Sequence, residues 1–298
     1  MTHGGCVTRF IAVRIDALDP ALVSRIVAAA LAEDRAAEDA TTLATVPPIL
    51  RGRAVFLAKE AGVLAGLGVA AEAFRQIDPS VTFTGSATDG DRFESGTRFA
   101  AIEGPVRAIL QAERVALNFL QRLSGTATLT RQFVDAVAGT RAVILDTRKT
   151  TPGLRDFEKY AVRCGGGTNH RRDLAVMAMI KDNHREALTS AGRTLPQGVA
   201  EIRARTPGIA VEVEVDDLAD LESALSGHPE WVLLDNMTVG QMAEAVRLTA
   251  GRAKLEASGG VKLDTVRAIA DTGVDAISVG ALTHSARALD ISLDLSFA

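Results

Sequence analysis

Cationic side chains cluster in one stretch of an otherwise acidic chain. Residues 141–185 contain ten Lys or Arg and five Asp or Glu, a balance of +5, whereas the whole chain of 298 residues has a formal net charge of −4. Arginine's planar fork matches a carboxylate, and lysine supplies a point charge to phosphate. The spacing predicts a compact anion site, with the candidates Arg148, Lys149, Arg171 and Lys181. A solvated charged face is the alternative interpretation.

Acidic residues end two apolar runs in the same half of the chain. In VEVEV, strand alternation places Glu212 and Glu214 on one face and the three valines on the other, so the glutamates point into a barrel and the valines pack under helices. Asp235 ends the run WVLLD. Carboxylates at neighbouring strand ends suit Mg²⁺ that also binds diphosphate oxygens, so Glu214 and Asp235 are predicted metal ligands. The alternative is a structural ion pair with nearby cations.

Two glycine-containing turns end the last two apolar runs. Residues 258–260 are Ser-Gly-Gly and residues 278–281 are Ser-Val-Gly-Ala, each just before a helical pattern. Backbone N–H groups in such turns bind phosphate, although Ser-Gly-Gly alone is often only a turn. Cations, acids and these turns together indicate a diphosphate-bearing substrate and a carboxylate-bearing one. His170 is a lone histidine, more often structural than catalytic, but beside Arg171 it can donate to a carboxylate.

The alternation of apolar runs and helical patterns along the chain predicts a fold that brings these distant positions together. Six short apolar runs alternate with helical patterns, and the later runs recur roughly every 22 residues. This alternation predicts βαβ units and a parallel sheet. Six strands rather than eight indicate an incomplete (β/α) TIM-like barrel, in which chemistry sits at the carboxyl ends of the strands. The predicted strands lie in residues 143–149, 176–183, 210–216, 231–236, 253–260 and 275–281.

The first part of the chain has a different pattern. A helix is predicted around residues 20–35, strand-like and turn-rich runs follow, and a long helical stretch begins near residue 106. We therefore predict an α/β protein with an N-terminal α+β sandwich domain at 1–115 and the barrel at 116–285. The tail, 286–298, alternates like a strand and is expected to return to the N-terminal domain.

Composition narrows the possible partners and compartment. The acidic balance argues against nucleic-acid and membrane binding, and 4% aromatic residues provide no base-stacking surface. No run approaches the roughly 18 apolar residues of a membrane span, and the N-terminus lacks the apolar core of a secretory signal. Cys6 and Cys164 form neither a disulfide framework nor a metal motif, so we expect a cytoplasmic protein.

Several sequence motifs follow one another along the chain in an order that is typical of one protein family. The longest is DTRKTTPGLRDFEKYAVRCGGGTNHR at 146–171, followed by IKDNH, VEVEVDDL, LLDNM, LEASGGV and SVGALTHSARALDISLDL. Upstream are LAEDRAAEDATT, FLAKEAGVLAGL, FESGT and QAERVALNFLQRLSGTAT. In this order they resemble the quinolinate phosphoribosyltransferase family, also called nicotinate-nucleotide pyrophosphorylase (carboxylating), over nearly the whole chain. The resemblance implies that quinolinate and phosphoribosyl diphosphate give nicotinate mononucleotide, diphosphate and CO₂, with Mg²⁺, in de novo NAD synthesis.

The resemblance also implies a homodimer and roles for individual residues. Each active site would borrow an arginine, here Arg114, from the partner chain. The family pattern assigns the grip on the two carboxylates of quinolinate to Arg114, Arg148, His170 and Arg171. It assigns catalytic roles to Lys149 and Lys181, which neutralise substrate anions, and to Glu214 and Asp235, which serve the metal and the ribose hydroxyls. It assigns the phosphate contacts to Thr147, Ser258, Gly259, Gly260, Val279, Gly280, Ala281 and His284.

The sequence departs from the family pattern close to the predicted pocket. Asp173 stands where the family has glycine and Val176 where it has aspartate, between His170 and Lys181, and Glu38 replaces another usual glycine. These changes bear on the geometry of the loop and on the choice of acid, but they remove no predicted contact residue.

Two alternatives to the main interpretation stay open. One is a related phosphoribosyltransferase of the molybdenum-uptake-associated type with another aromatic acid as acceptor, and the other is a non-catalytic sensor of a phosphoribosyl ligand. The four-cation grip favours a dicarboxylate over nicotinate, which has one carboxylate. The presence of Lys149, Glu214 and Asp235 favours catalysis over binding alone.

Overall fold

The computed structural model describes residues 15–297 of the chain. Cys6 and the N-terminal segment in which no signal was predicted lie outside this range. The first half contains helices α1 to α4 at Pro20–Glu33, Ala40–Thr45, Leu67–Ile77 and Val106–Ala136. Its strands, β1 to β5, are Arg51–Ala58, Gly62–Val63, Thr82–Gly85, Arg92–Phe93 and Arg98–Pro105.

The second half alternates short strands with helices. Strands β6 to β12 are Val143–Leu145, Ala178–Ile180, Val211–Val215, Trp231–Asp235, Lys254–Ser258, Ala276–Ser278 and Ile291–Phe297. Helices α5 to α11 are Arg155–Cys164, Asp182–Ser190, Leu195–Arg205, Leu221–Ser226, Val239–Thr249, Val266–Ala270 and Ala281–His284. Among residues 15–297, no helix combines the length and the apolar character that crossing a membrane requires.

An antiparallel sheet organises the N-terminal half, with the strand order β12-β1-β5-β3. The C-terminal strand β12 pairs with β1, so the end of the chain returns to the first sheet. Side chains alternate along β1, and its inward positions Ala54, Phe56 and Ala58 are buried. The ring of Phe56 stacks on Phe99 with centroids 5.7 Å apart. Helices α3 and α4 complete this core, which gives the α+β character predicted for this region.

Helix α4 is 31 residues long and serves both cores. Leu120 packs into the core of the N-terminal half, whereas Phe133 belongs to the core of the parallel sheet. The Gly-Gly-Gly run at 165–167 lets the end of α5 approach this helix. A Cβ on Gly165 would lie 2.4 Å from the carbonyl oxygen of Ala127, so a larger residue would force the two helices apart.

A six-stranded parallel sheet forms the second half, in the order β6-β11-β10-β9-β8-β7. Each strand falls within one of the six predicted runs. Val211, Val213 and Val215 of β8 are buried in the core between sheet and helices, on the face opposite Glu212 and Glu214, as alternation predicts. Strands β6 and β7 are the two edges of this sheet, so within residues 15–297 the barrel does not close. The predicted incomplete (β/α) barrel is confirmed.

Candidate active site

A cavity of about 400 Å³ lies at the carboxyl ends of the parallel strands. Parallel strands end at one edge of a sheet, which explains how residues far apart in sequence meet there. Predicted site residues that line the cavity are Thr147, Arg148, Lys149, His170, Arg171, Lys181, Glu214, Asp235 and Ser258. The remaining lining residues are Asp146, Met179, Leu233, Glu256 and Ser278.

The loop after β6 presents two cations to the cavity. The Lys149 N–H donates to the Thr147 hydroxyl over 3.0 Å, and the Lys149 carbonyl accepts from the Thr283 hydroxyl over 2.7 Å. The Nε of Arg148 is buried and has no hydrogen-bond partner among the described residues. A buried guanidinium N–H without an acceptor is suited to an incoming anion.

Arg171 contributes a second guanidinium to the same cavity. It donates to the Met177 carbonyl over 3.1 Å, which anchors the side chain at the start of β7. Burial and the neighbouring charge of Arg148 lower the pKa of Arg171. This is the direction expected when two cations are held close together with too little negative charge between them. The two arginines therefore form a cationic wall suited to a carboxylate-bearing ligand.

His170 lies in a buried cluster with two glutamates. Its Nε2 is 3.2 Å from Glu212 and 3.1 Å from Glu256, and the Arg171 N–H donates to its Nδ1 over 2.7 Å. Because that N–H needs the Nδ1 lone pair, the contact favours the neutral tautomer with its hydrogen on Nε2. Burial alone would lower the pKa of His170, but the two glutamates outweigh burial and raise it to about 10. Uptake of a second proton would break the Arg171 contact, so this contact opposes the effect of the two glutamates on the ring.

The ligand atoms of this cluster are close enough together for a metal ion, but the hydrogen bond to the histidine ring does not suit metal binding. Ligand atoms of His170, Glu212 and Glu256 lie within 4.8 Å of one another. A metal on Nε2 would require the ring hydrogen on Nδ1, where it would face the Arg171 N–H, so a hydrogen-bonded cluster fits better. Burial and the neighbouring Glu256 raise the pKa of Glu212 to about 7. Both ring nitrogens of His170 are engaged by the protein, so the predicted contact with quinolinate finds no unengaged ring nitrogen in this geometry.

The two acids predicted as metal ligands lie at neighbouring strand ends. Glu214 forms an ion pair with Lys181, which is the alternative interpretation weighed for this acid. Asp235 accepts from the Asn236 side chain over 2.7 Å. In each case the contact uses one carboxylate oxygen, and the second oxygen has no hydrogen-bond partner among residues 15–297. Hard carboxylate oxygens of this kind fit Mg²⁺, which commonly takes one or two protein carboxylates together with substrate phosphate.

The Ser-Gly-Gly turn follows β10 directly. Gly259 has a φ of +96°, and a Cβ there would lie 2.2 Å from Oδ1 of Asn236. Only glycine fits this combination of backbone conformation and close approach. Gly260 also has a positive φ, +59°. The turn therefore passes tightly beside Asn236, the residue after Asp235. Ser258 lines the cavity, whereas Gly259 and Gly260 are not among its lining residues, so their phosphate contacts stay predictions.

The second turn, after β11, adjoins the cations. A Cβ on Gly280 would lie 3.0 Å from Nε2 of His284 and 3.4 Å from Cδ of Lys149. The Val279 N–H already donates to the Leu145 carbonyl over 2.9 Å, so it is engaged within the sheet. The predicted phosphate contacts through Gly280, Ala281 and His284 stay predictions.

Asp146 is a site residue to which the sequence analysis gave no role. It is fully buried and accepts from Lys159 Nζ at 2.5 Å, the Asn169 side chain at 2.6 Å and the His170 N–H at 2.8 Å. It therefore fixes the segment that carries His170 and Arg171. The available signal was its position directly after β6, where the first residue past a strand points toward the site.

Three other sequence positions lie away from the cavity wall. Arg114 is exposed on α4 and is not among the lining residues, so one chain alone does not bring it to the site. Asp173 and Val176 do not line the cavity either. The Asp173 carboxylate accepts from the Ala175 N–H over 3.0 Å, and Val176 is 56% exposed.

Comparisons with known proteins agree over the length of the chain. A family model described as "Quinolinate phosphoribosyl transferase, N-terminal domain" matches residues 39–124, and the corresponding "C-terminal domain" model matches residues 126–294. Quinolinate phosphoribosyltransferase (decarboxylating) 1 of Nicotiana glauca is 44% identical over 277 residues, which cover 86% of this chain and 77% of that protein. Nicotinate-nucleotide pyrophosphorylase (carboxylating) of Mycobacterium leprae is 45% identical over 274 residues, covering 89% and 94%.

Solved structures give the same result. The crystal structure of NadC from Streptococcus pyogenes has a TM-score of 0.89 and 43% identity, covering 95% of this chain and 99% of that one. The nicotinate-nucleotide pyrophosphorylase from Francisella tularensis has the same TM-score at 37% identity, with the same coverage. The match of both domain models and of the relatives shows that the chain belongs to the quinolinate phosphoribosyltransferase family.

Proposed function

We propose that the protein transfers the phosphoribosyl group of phosphoribosyl diphosphate to quinolinate, with release of CO₂, to give nicotinate mononucleotide and diphosphate for NAD synthesis. Membership of the family and the names of its relatives support this reaction over transfer to another aromatic acid. The observation that carries it is the pairing, in one cavity, of the Arg148–Arg171 wall with the acids Glu214 and Asp235. The two arginines suit a dicarboxylate, and the two acids suit a ribosyl diphosphate bound together with a metal ion.

The first chemical step forms a bond between the pyridine nitrogen of quinolinate and C1′ of the ribose. The C1′–oxygen bond to diphosphate breaks, and its electron pair leaves with the diphosphate. The ribose passes through a cationic state like the oxocarbenium of glycoside cleavage. In this proposal the Glu214 carboxylate stabilises that cation, and Lys149 and Lys181 offset the charge of the departing diphosphate; all three side chains line the cavity.

The second step removes the 2-carboxylate as CO₂. Once ribosylated, the ring nitrogen is cationic, so the electron pair left on C2 is stabilised until C2 takes up a proton. Arg148 and Arg171 hold the carboxylates by charge-assisted hydrogen bonds and orient the ring for both steps. No organic cofactor is needed for this decarboxylation.

We infer that Glu214 and Asp235 hold Mg²⁺ when substrate is bound. Their unengaged carboxylate oxygens line the same cavity as the lysines. A bound Mg²⁺ would neutralise diphosphate charge. Lys181 has to share Glu214 with the metal, because the two form an ion pair in this structure.

We also propose a homodimer in which Arg114 of one chain completes the site of the other. The family pattern gives Arg114 a contact with quinolinate, yet the residue is exposed on α4 and absent from the cavity wall of its own chain. A contribution across an interface reconciles the two. The cytoplasmic location predicted from cysteine usage is likewise a proposal; some plant relatives are named as mitochondrial or chloroplastic.

The deciding experiment supplies purified protein with phosphoribosyl diphosphate, Mg²⁺ and quinolinate labelled with ¹⁴C in the 2-carboxylate, with nicotinate in a parallel reaction. Released ¹⁴CO₂ and nicotinate mononucleotide, identified by mass spectrometry, from quinolinate alone are the expected result. Folded protein that forms no product from either acid would contradict the proposal and favour a different acceptor acid or a binding role.

A further inference from the structure

Helix α5 carries a buried carboxylate that neither the reaction nor the family pattern above uses. Glu158 is 0% exposed and is not among the residues that line the cavity. Its oxygens accept from the Thr151 N–H at 2.9 Å, the Thr151 hydroxyl at 2.8 Å and Arg122 Nη2 at 3.0 Å. Glu158 therefore binds the far end of the loop that presents Arg148 and Lys149.

Arg122, on α4, connects this carboxylate to the other substrate loop. Its Nη1 donates to the Ala286 carbonyl over 2.8 Å, and its Nη2 donates to the Thr283 carbonyl. Both carbonyls lie at the end of the turn that follows β11, beside Gly280 and His284. The Thr283 hydroxyl in turn donates to the Lys149 carbonyl over 2.7 Å. Arg122 thus spans from Glu158 to the predicted phosphate loop.

The arrangement forms a closed chain of contacts between two loops with different ligands. One loop, 147–151, carries cations for the acceptor acid and the diphosphate, and the other, 279–286, carries the predicted contacts to the 5-phosphate. A buried ion pair of this kind is weak grounds for stability, because apolar residues of similar volume are often as stable. What an apolar pair would not supply is the directed hydrogen bonds that fix Thr151, Thr283 and Ala286 relative to one another.

We propose that Arg122 and Glu158 are positioning residues that couple the acceptor-acid loop to the phosphate loop, so that occupation of one loop sets the geometry of the other. This assignment rests on the proposed function. The two residues need not contact substrate. Their replacement should change how strongly one bound ligand alters the affinity for the other, rather than the affinity for either ligand alone.

The test uses Glu158→Gln, which keeps the shape and an acceptor for Thr151 but removes the charge that faces Arg122, and Arg122→Lys, which keeps the charge but loses the fork that reaches both carbonyls. Glu230→Gln is the control, at a carboxylate that is 46% exposed. Glu230 also accepts from a backbone N–H, that of Val211, and from an arginine, Arg203, but it lies at the amino ends of the strands.

Calorimetry would measure quinolinate binding with and without saturating ribose 5-phosphate. We expect ribose 5-phosphate to tighten quinolinate binding about tenfold in the wild type and in Glu230→Gln, and less than about twofold in Glu158→Gln and Arg122→Lys. In the ¹⁴CO₂ assay, kcat should fall about 10- to 100-fold in Glu158→Gln and Arg122→Lys, with the affinity for each ligand alone within about threefold of wild type. An equal tightening in all four proteins would overturn the assignment.

A double variant, Arg122→Met/Glu158→Leu, separates positioning from stability. We expect its unfolding midpoint in urea to lie near that of the wild type, while turnover stays low. If the wild type is active and the double variant recovers its kcat, the pair acts only through stability. That result would overturn the assignment of Arg122 and Glu158 but leave the proposed function intact. A folded wild type that neither binds nor turns over quinolinate would instead overturn the proposed function, and this assignment with it.

Discussion

Lys159 and Asp146 form a buried ion pair of 2.5 Å at the carboxyl end of β6. The lysine also donates to the His170 carbonyl over 3.0 Å, so one side chain of α5 ties together two segments of the cavity wall. Burial raises the pKa of Asp146 and lowers the pKa of Lys159, in each case favouring the neutral form. Their mutual attraction opposes both shifts and keeps the pair charged.

Replacing Lys159 by Met leaves the Asp146 carboxylate buried without its cation. We expect a loss of about 3–5 kcal/mol in the free energy of unfolding near neutral pH. Burial raises the pKa of Asp146, and Lys159 opposes that shift, so the pKa should rise further when Lys159 is replaced. Protonation of Asp146 then stabilises the folded variant more than the folded wild type, and this contribution is lost as pH rises through the folded-state pKa of the variant. The deficit should therefore shrink as pH falls below neutral.

Urea unfolding at several pH values would measure this deficit, with Lys262→Met, at an exposed lysine, as the control. A deficit that grows toward acid pH would contradict the expected sign.

The sequence predicted the strand ends better than the contacts behind them. An apolar run that stops at Lys181, Glu214 or Asp235 is a local signal, so these positions could be assigned without knowing the fold. Glu158 and Lys159 were missed because charged residues in a helix normally face water, whereas α5 is covered by α4 and the N-terminal half. Burial of that kind depends on packing between distant segments, which spacing along the chain does not reveal.

The tight turn at Gly259 offers a test of the second acid. Gly259→Ala would place a methyl group against Asn236 in a backbone conformation that favours glycine. We expect the adjoining Asp235 to shift and kcat/KM for phosphoribosyl diphosphate to fall by about 10- to 100-fold. Gly240→Ala is the matched control, because its Cβ would meet nothing within 4 Å. Steady-state kinetics that give the same kcat/KM for both variants would argue against a substrate contact at this turn.

Lys149 should act more on turnover than on binding. Its position next to Gly280 and at the cavity wall suits a charge that offsets the departing diphosphate, a need greatest in the transition state. We expect Lys149→Ala to lower kcat by about 100-fold or more, with dissociation constants for both substrates within about tenfold. Rapid-quench turnover and calorimetry measure the two quantities separately. An unchanged kcat would remove Lys149 from the catalytic residues.

The proposed dimer makes Arg114 testable apart from the rest of the site. Arg114→Ala should abolish measurable quinolinate binding in calorimetry and leave phosphoribosyl diphosphate binding intact, because the residue should contact only the acid. Unchanged quinolinate affinity would contradict this role.

Mixing inactive Arg114→Ala with inactive Lys149→Ala tests whether the arginine acts across the interface. After subunit exchange, a mixed dimer contains one site with both native residues, so up to about a quarter of wild-type activity per chain is expected at equal mixing. The unmixed variants are the controls. Efficient exchange without any activity would show that each chain uses its own Arg114 or that the site is not shared.

Asp173 and Val176, the departures from the family pattern in the loop after Arg171, can be tested for an effect on the choice between quinolinate and nicotinate. Asp173 and Val176 lie outside the cavity wall, and the guanidinium of Arg171 reaches the loop through the Met177 carbonyl rather than through either side chain. We therefore expect Asp173→Gly and Val176→Asp to change the ratio of kcat/KM for quinolinate over nicotinate by less than about threefold. Arg171→Lys loses the planar fork and should lower the same ratio at least about tenfold. Competition assays with both acids would measure the ratio. A large change in the first two variants would mean that the loop adopts a different conformation when the acid binds, and that its side chains then take part in selecting the acid.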